Sequence, residues 1–209
     1  QYTSIVDTTW IHADTLRLKL YLDAGDAMLF RVESNVSTHT GNETYNTTQT
    51  VFGPKRYTGW VHVEDGAEVT FNGTFFFDDK LEVYEDGTIL IVTAGSKLFF
   101  ADGSEFRVRD GAAIYLNGTE ANPIVLTSNS IEDSPGDWMG INFYDSYGGY
   151  DDNVIKGTII RNAQVGIRID GESQNLDDYG RGLDFIHTTI SDCDTAIISI
   201  DGYLSLIHI

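Results

Sequence analysis

The residues of this sequence best suited to chemistry are carboxylates and tyrosines that cluster in two polar segments, 144–153 and 170–182. Clustered carboxylate oxygens are the ligands that calcium prefers, and exposed aromatic rings suit the apolar faces of sugars. A solvated acidic rim that serves solubility is the alternative interpretation. The candidate calcium ligands are Asp145, Asp151, Asp152, Asp177 and Asp178, and the candidate ligand-binding residues are Tyr144, Tyr147, Tyr150, Asp151, Asp152, Asp177, Asp178 and Tyr179.

Adjacent pairs of acids raise the question of hydrolysis, and they stand at residues 78–79, 151–152 and 177–178. Cleavage of a glycosidic bond needs two carboxyl groups about 5 to 9 Å apart across that bond, which adjacency in the sequence does not provide. The spaced motifs of serine hydrolases, zinc proteases and nucleotide-binding proteins are absent from the sequence. His187 is better explained as a surface or ladder residue of a strand than as a base. We therefore assign no catalytic residue, and the sequence leans towards a protein without catalysis.

The charge balance limits the partners of the chain. Its 13 Lys and Arg residues face 32 Asp and Glu residues, for a net charge of −19. This excess of acid argues against a nucleic-acid partner. No run of about 18 apolar residues occurs, so the sequence predicts no membrane span. Cys193 is the single cysteine, which excludes an intramolecular disulfide and predicts an inert, packed thiol.

Short alternating runs must position the acidic and aromatic residues. From residue 60 onward, apolar and polar residues alternate and each run ends at a glycine turn. Side chains at i and i+2 of a strand share a face, and Asp-Gly or Asn-Gly tolerates the positive φ of a turn. The pattern could describe antiparallel hairpins or a solenoid with three strands per coil. The short, uniform runs favour the solenoid. A longer repeat also favours it, because Leu81, Ile89 and Leu98 are answered by Phe106, Ile114 and Ile124.

The second half of the sequence repeats at longer intervals. Residues 140–143 (GINF) match residues 166–169 (GIRI), and residues 160–163 (IRNA) match residues 190–193 (ISDC). The intervals are longer because the two polar segments intervene. Insertions at equivalent points of neighbouring coils emerge on the same side of a solenoid. We therefore expect the two acidic segments to lie together on one lateral face.

These repeats resemble the right-handed parallel β-helix repeat family, the pectate-lyase-like solenoids, between about residues 60 and 200. The resemblance is carried by GSKLFFADGSEFRVRDGAAIYLNGTEANPIVLTS, GDWMGINF, VIKGTIIRNAQVGIRI and TTISDCDTAIISI. It implies an all-β fold of stacked three-strand coils. It implies little about function, because lyases, hydrolases, adhesins and surface-layer proteins share the fold. The Gly-His-Gly and Arg-Ile-Lys elements of the polygalacturonase relatives are absent, and no lyase motif surrounds Arg168 or Arg181.

We expect the chain to divide into three parts. Residues 58–203 form the β-helix, which we expect to be truncated. Residues 1–57 form a β-rich N-terminal cap or the end of a preceding module, and within them we expect residues 34–50 to be an exposed loop. Residues 204–209 (LSLIHI) match the translation of a sequencing-library adapter. We therefore expect the chain to be a metagenomic fragment. Its natural residues would stop near Tyr203, and further coils of the natural protein would be missing.

Five Asn-x-Ser/Thr sequons are candidate N-glycosylation sites, provided that the chain is extracytoplasmic. Their asparagines are Asn35, Asn42, Asn46, Asn72 and Asn117. Three of the five lie in a segment rich in Thr, where sequons often arise by chance.

The sequence as a whole predicts a non-catalytic extracellular or cell-surface β-helix module of a larger surface or secreted protein. Its role would be structural, adhesive or glycan-contacting. The alternative is a polysaccharide lyase or glycoside hydrolase that acts through the acidic segments on one lateral face. Calcium is the one cofactor that the sequence suggests, and a polysaccharide or cell-surface glycan is the expected partner.

Overall fold

The computed structural model describes residues 7–12, 15–19, 36–130, 134–144, 153–170 and 183–200, with side chains from residue 36 onward. These residues form strands and turns, and no helix able to cross a membrane is found among them. The strands are β1 (Asp7–His12), β2 (Thr15–Lys19), β3 (Ser37–His39), β4 (Glu43–Tyr45), β5 (Gln49–Phe52), β6 (Lys55–Tyr57), β7 (Val61–Val63), β8 (Glu68–Asn72), β9 (Thr74–Phe77), β10 (Leu81–Tyr84), β11 (Ile89–Thr93), β12 (Lys97–Phe100), β13 (Phe106–Arg109), β14 (Ala113–Asn117), β15 (Ile124–Ser128), β16 (Ile141–Tyr144), β17 (Asn153–Lys156), β18 (Thr158–Arg161), β19 (Val165–Asp170), β20 (Leu183–Ile186), β21 (Thr189–Ser191) and β22 (Thr195–Ile200).

Every third strand of the chain joins the same parallel sheet, which gives three sheets. Sheet 1 contains β4, β7, β10, β13, β16, β19 and β22; sheet 2 contains β5, β8, β11, β14, β17 and β20; sheet 3 contains β3, β6, β9, β12, β15, β18 and β21. One coil is therefore one strand from each sheet, and each coil hydrogen-bonds to the next. The right-handed parallel β-helix expected from the sequence is confirmed. Strands β1 and β2 form an antiparallel pair, and within the described ranges they have no other strand partner.

Apolar side chains fill the interior and stack on their register partners in neighbouring coils. In sheet 1, Leu81 pairs with Phe106, and Phe106 pairs with Ile141. Ile141 in turn pairs with Ile167, and all four side chains are buried. The stacking of like residues explains why short apolar runs repeat along the sequence, and it confirms the match between residues 140–143 and 166–169.

A column of aromatic rings runs through the same interior. The ring centroids of Tyr57 and Phe77 lie 5.5 Å apart, those of Phe77 and Phe100 5.2 Å, and those of Phe100 and Trp138 4.3 Å. Trp138 is completely buried, and its indole N–H donates to the backbone carbonyl of Arg161 at 2.9 Å. Burying large rings in contact supplies much of the hydrophobic stabilisation of each coil.

The expected pairing of Ile89 with Ile114 is wrong, because Leu90 is the partner of Ile114. Leu98 likewise pairs with Leu126, two residues beyond the expected partner. A shift of one residue turns every side chain of a strand to the opposite face. Leu90 is therefore buried, whereas Ile89 lies partly exposed on the outside. Four consecutive apolar residues hide the alternation of this strand in the sequence.

The exposed loop expected at residues 34–50 is wrong for the described part of that segment. Strands β3, β4 and β5 lie there and pair in parallel with β6, β7 and β8. Most of these side chains are exposed, but Tyr45 points into the interior. These strands have at most two apolar residues each, which is too few to reveal alternation. The β-helix thus includes residues that precede position 58, where we expected a cap or a preceding module.

Replacing Phe100 with Ala should lower the free energy of unfolding by about 3 to 5 kcal/mol, because it removes a buried ring between two others. Phe52 is 69% exposed, and Phe52→Ala is the matched control that should change stability by less than about 0.5 kcal/mol. Urea denaturation of both variants measures the two losses. Equal losses would contradict the interior column.

Candidate functional site

Most of the residues singled out in the two polar segments lie outside the described residues. These are Asp145, Tyr147, Tyr150, Asp151, Asp152, Asp177, Asp178 and Tyr179. The ends of the segments are described: Tyr144 closes β16, Asp170 closes β19, and the two residues are register partners. Asn153 and Leu183, which open the following strands, are also partners. The chain therefore leaves sheet 1 and enters sheet 2 at equivalent positions of two neighbouring coils. This supports the expectation that the two polar segments lie close to each other.

The outer surface of sheet 1 next to this edge gathers charged and aromatic side chains, and we call it the sheet 1 face. Its strands alternate between buried and partly exposed residues, so one side chain in two points outward. One outward row consists of register partners, namely His62, Glu82, Arg107, Asn142 and Arg168. The next row contains Tyr84, Arg109, Tyr144 and Asp170. Trp60, Glu64, Lys80 and Glu105 flank these rows at the strand ends.

Glu82 lies at the centre of the sheet 1 face and is only 1% exposed. One carboxylate oxygen lies 2.9 Å from Nε of Arg109 and 3.5 Å from a terminal nitrogen of Arg107. The other oxygen lies 3.1 Å from Nζ of Lys80 and 2.9 Å from Nε2 of His62. A buried carboxylate is tolerated only when it is paired in this way. Glu82 therefore connects β7, β10 and β13, one strand from each of three coils.

The protonation states on this face follow from burial and charge. Burial raises the pKa of Glu82, but hydrogen bonds from Arg109 and Lys80 outweigh it, and the net pKa lies below the ordinary value. Burial lowers the pKa of His62, although the charge of Glu82 opposes the change. At neutral pH, Glu82 is therefore an ionised acceptor held by cations, and His62 is neutral. A carboxylate in that state cannot serve as a general acid.

Aromatic rings lie on both sides of this cluster. Trp60 stacks on the ring of His62 with centroids 3.8 Å apart. The guanidinium of Arg109 lies 4.5 Å from the centroid of Tyr84, within cation–π range. The Tyr84 hydroxyl donates to the carboxylate of Glu64, whose pKa is raised by burial and by neighbouring acids. These contacts hold the rings in place while Trp60 and Tyr84 stay partly exposed.

Tyr144 is the one predicted ligand-binding residue that the structure describes, and it belongs to the sheet 1 face. The guanidinium of Arg107 lies 5.2 Å from its ring centroid, and its hydroxyl donates to Glu105 at 3.1 Å. Burial raises the pKa of Tyr144, and the charge of Glu105 raises it further. Glu105 also binds Arg107 at 2.6 Å. The acidic edge and the sheet 1 face are thus connected through Tyr144.

Sequence reasoning missed the cluster around Glu82. None of His62, Glu82, Arg107 and Arg109 was among the candidate site residues. The signal was present, because polar residues occupy the outward positions of equivalent repeats, as in LEVY at 81–84 and FRVR at 106–109. Reading it required the register between coils, which the structure provides.

The metal prediction falls on segments that lie outside the described residues. Within the described ranges, no group of three or more His, Cys, Asp or Glu side chains could hold a metal ion. Calcium bound by Asp145, Asp151, Asp152, Asp177 and Asp178 therefore stays a prediction. Of the sequon asparagines, Asn35 lies outside the described residues, and the other four, Asn42, Asn46, Asn72 and Asn117, are exposed.

Comparison with known proteins supports the architecture. Residues 61–146 match the family model described as a pectate-lyase-like β-helix domain. The resemblance seen in the sequence is confirmed over this range, which runs from β7 to just beyond β16 and includes Glu82, Arg107 and Arg109. No curated protein and no solved structure matches the chain.

Replacing Glu82 with Gln should lower the free energy of unfolding by about 3 kcal/mol at pH 7, because it leaves several cations without their shared partner. The folded-state pKa of Glu82 is depressed, so its stabilisation is complete above the ordinary Glu pKa of about 4.3 and is lost as the pH falls through the folded value. The difference between wild type and variant should therefore shrink below about pH 4. Denaturation curves at several pH values measure it.

The control for this prediction is Glu68→Gln at an exposed position of β8. That change should cost less than about 0.5 kcal/mol at every pH. A loss at Glu82 that is equally small, or that does not depend on pH, would contradict the paired carboxylate.

Proposed function

We propose that this chain, whose residues 61–146 match the pectate-lyase-like β-helix domain, is a non-catalytic extracellular module that contacts glycans through its sheet 1 face. The larger protein to which it belongs would be secreted or attached to a cell surface. A structural or adhesive role follows if that contact holds a cell wall, a matrix or a neighbouring cell.

The observation that carries this proposal is the state of Glu82. It is the most central carboxylate of the sheet 1 face, and it is buried, ionised and shared among several cations. A glycosidase of the usual kind needs one carboxyl group that carries a proton and one that is free to attack or to activate water. Glu82 meets neither requirement, and Glu105 is committed to Arg107. Both carboxylates instead hold cationic and aromatic side chains in fixed positions.

The side chains so held suit glycan contact. Trp60, Tyr84 and Tyr144 are partly exposed, and rings of this kind pack against the apolar faces of sugars. Lys80, Arg107, Arg109 and Arg168 place four of the 13 basic residues of an acidic protein on one face. Their N–H groups can donate to hydroxyl or carboxylate oxygens of a polysaccharide. Because these side chains stand on sheet strands or directly next to them, little flexibility is lost when a ligand binds.

The acidic segments at the edge of the sheet 1 face are the place where the alternative function would reside. A polysaccharide lyase or glycoside hydrolase would use Asp151, Asp178 and their neighbours against a glycan lying on this face. The contact between Tyr144 and Glu105 brings one of these segments next to the cluster. A binding module and an enzyme would therefore use the same surface of the chain. Only the presence or absence of cleavage products distinguishes the two functions.

A panel of neutral and acidic polysaccharides, with and without calcium, tests the proposal. We expect binding to at least one of them, with no shortening of the chains and no unsaturated products. Trp60→Ala and Tyr84→Ala should each weaken that binding about three- to tenfold, as expected for the loss of one ring contact. Tyr115→Ala, on the outer face of sheet 2, is the matched control and should leave the affinity unchanged.

Two results would overturn the proposal. Absence of binding to every polysaccharide would remove the glycan contact. Cleavage that is abolished in the double variant Asp151→Ala with Asp178→Ala would show an enzyme instead.

A further inference from the structure

A depression of about 340 Å³ lies on the corner between sheets 2 and 3, away from the sheet 1 face. The turns of three successive coils form it, those after β14, β17 and β20. Its lining includes Gly118, Thr119, Glu120, Lys156, Gly157 and His187. We call it the corner depression. The proposed glycan contact on the sheet 1 face makes no use of it.

Two glycines and one histidine create the corner depression. Gly118 and Gly157 approach so closely that a Cβ on Gly118 would lie 2.1 Å from the carbonyl oxygen of Gly157, so no side chain can fill the middle of the corner. Nδ1 of His187 lies 3.3 Å from a carboxylate oxygen of Glu120, two coils away. His187 has a φ of 50°, which costs free energy for a residue other than glycine. His187 occupies the position that is equivalent to Gly157 of the preceding coil. Its imidazole therefore forms one side of the depression.

Asn117 directly precedes Gly118 and Thr119, which line the corner depression. It is the last residue of β14, its side chain is exposed, and its register partner Lys156 is part of the lining. It belongs to the sequon Asn117-Gly118-Thr119, whose second and third residues also line the depression. Within the described part of the chain its side-chain amide makes no hydrogen bond, so it is free for modification.

The chain holds an internal control for this site. Asn72 opens the identical tripeptide Asn-Gly-Thr, is exposed, and is the last residue of β8. Phe71 and Leu116 are both register partners of Val92, so Asn72 and Asn117 occupy the same row two coils apart. The corner after β8 is a single residue, Gly73, whereas residues 118–123 form a longer turn after β14.

We infer that Asn117 is N-glycosylated and that the first N-acetylhexosamine of its glycan rests in the corner depression. The inference relies on the extracellular location in the proposed function and not on the sheet 1 face. In the reaction, Nδ2 of Asn117 attacks C1 of the first sugar of a lipid-pyrophosphate-linked oligosaccharide. The N–C1 bond forms, the bond from C1 to the pyrophosphate oxygen breaks, and the amide loses one proton to the transferase base.

The lining of the corner depression matches the groups of such a sugar. Lys156 and His187 can donate to its hydroxyl and acetamide oxygens, and Glu120 can accept from its hydroxyl and N–H groups. The Thr119 hydroxyl accepts from the N–H of Asn122 at 3.0 Å, which fixes the turn that forms one side. A glycan here would cover the corner that exposes Glu120 and His187.

The test uses the full 209-residue chain secreted from an N-glycosylating host. Glycopeptide mass spectrometry should find Asn117 occupied, and Asn117→Gln should remove one glycan. An endoglycosidase applied to the folded protein should then release the Asn117 glycan about tenfold more slowly than the Asn72 glycan, a difference equivalent to about 1.4 kcal/mol. His187→Gly, which suits the positive φ, should remove this protection at Asn117 without changing release at Asn72.

Three results would overturn the inference. An unoccupied Asn117 in the secreted, folded protein removes the modification. An Asn117 glycan that is released as fast as the Asn72 glycan, or that His187→Gly does not affect, removes the contact with the corner depression. If Asn72 carries no glycan, the test is the rate at which the endoglycosidase releases the Asn117 glycan from the wild type and from His187→Gly. Polysaccharide binding by the same protein is measured separately, so failure of one proposal is distinguishable from failure of the other.

Discussion

Each coil of this β-helix hydrogen-bonds in register to the next, at the parallel-strand spacing of about 4.8 Å. This pairing places residues of equivalent position directly above one another, inside and outside. Inside, it stacks Phe77 on Phe100 and continues to Trp138. Outside, it brings the arginines of β13 beside Glu82 of β10. The core and the candidate site are therefore consequences of one constraint, and a shift in register would destroy both.

In the Glu82 cluster, this register pairing places side chains of different coils next to one another on one surface. Glu82 and Arg107 are register partners on neighbouring strands, so opposite charges meet without any long connecting segment. The neutral His62 is the register partner of Glu82 on the other side. Cross-strand pairs of opposite charge stabilise a sheet modestly when they are exposed. Burial of Glu82 makes its pairs strong and mutually dependent, because no water replaces a lost partner. The two arginines also lie against the rings of Tyr84 and Tyr144.

The resemblance to the β-helix repeat family identified the right-handed parallel β-helix. Alternation, glycine turns and the longer repeat predicted a solenoid of three-strand coils. They placed Leu81 on Phe106 correctly, because each lies in a run with polar neighbours. They failed at Ile89, where apolar residues are consecutive and either face is equally suited to the core. They also failed in residues 37–52, where the strands carry few apolar residues and turns differ in length.

The candidate site was less accessible from the sequence. Acidic and tyrosine-rich segments attract attention because they are unusual in composition, and most of their residues lie outside the described part of the chain. Glu82 is inconspicuous, because its importance arises from partners that are up to 27 residues away, as with Arg109. Such a group can be recognised only once the register between coils is known.

The central claim is that Glu82 is an ionised, paired carboxylate that organises the sheet 1 face, the proposed binding surface, and does not donate protons. An NMR titration of the chain labelled with ¹³C at the Glu side-chain carboxyl, with Glu82→Gln used to assign the resonance, tests this most directly. We predict a titration midpoint for Glu82 below the ordinary Glu value of about 4.3. A midpoint well above that value would show a carboxyl group prepared to act as an acid, and it would contradict this account of the sheet 1 face.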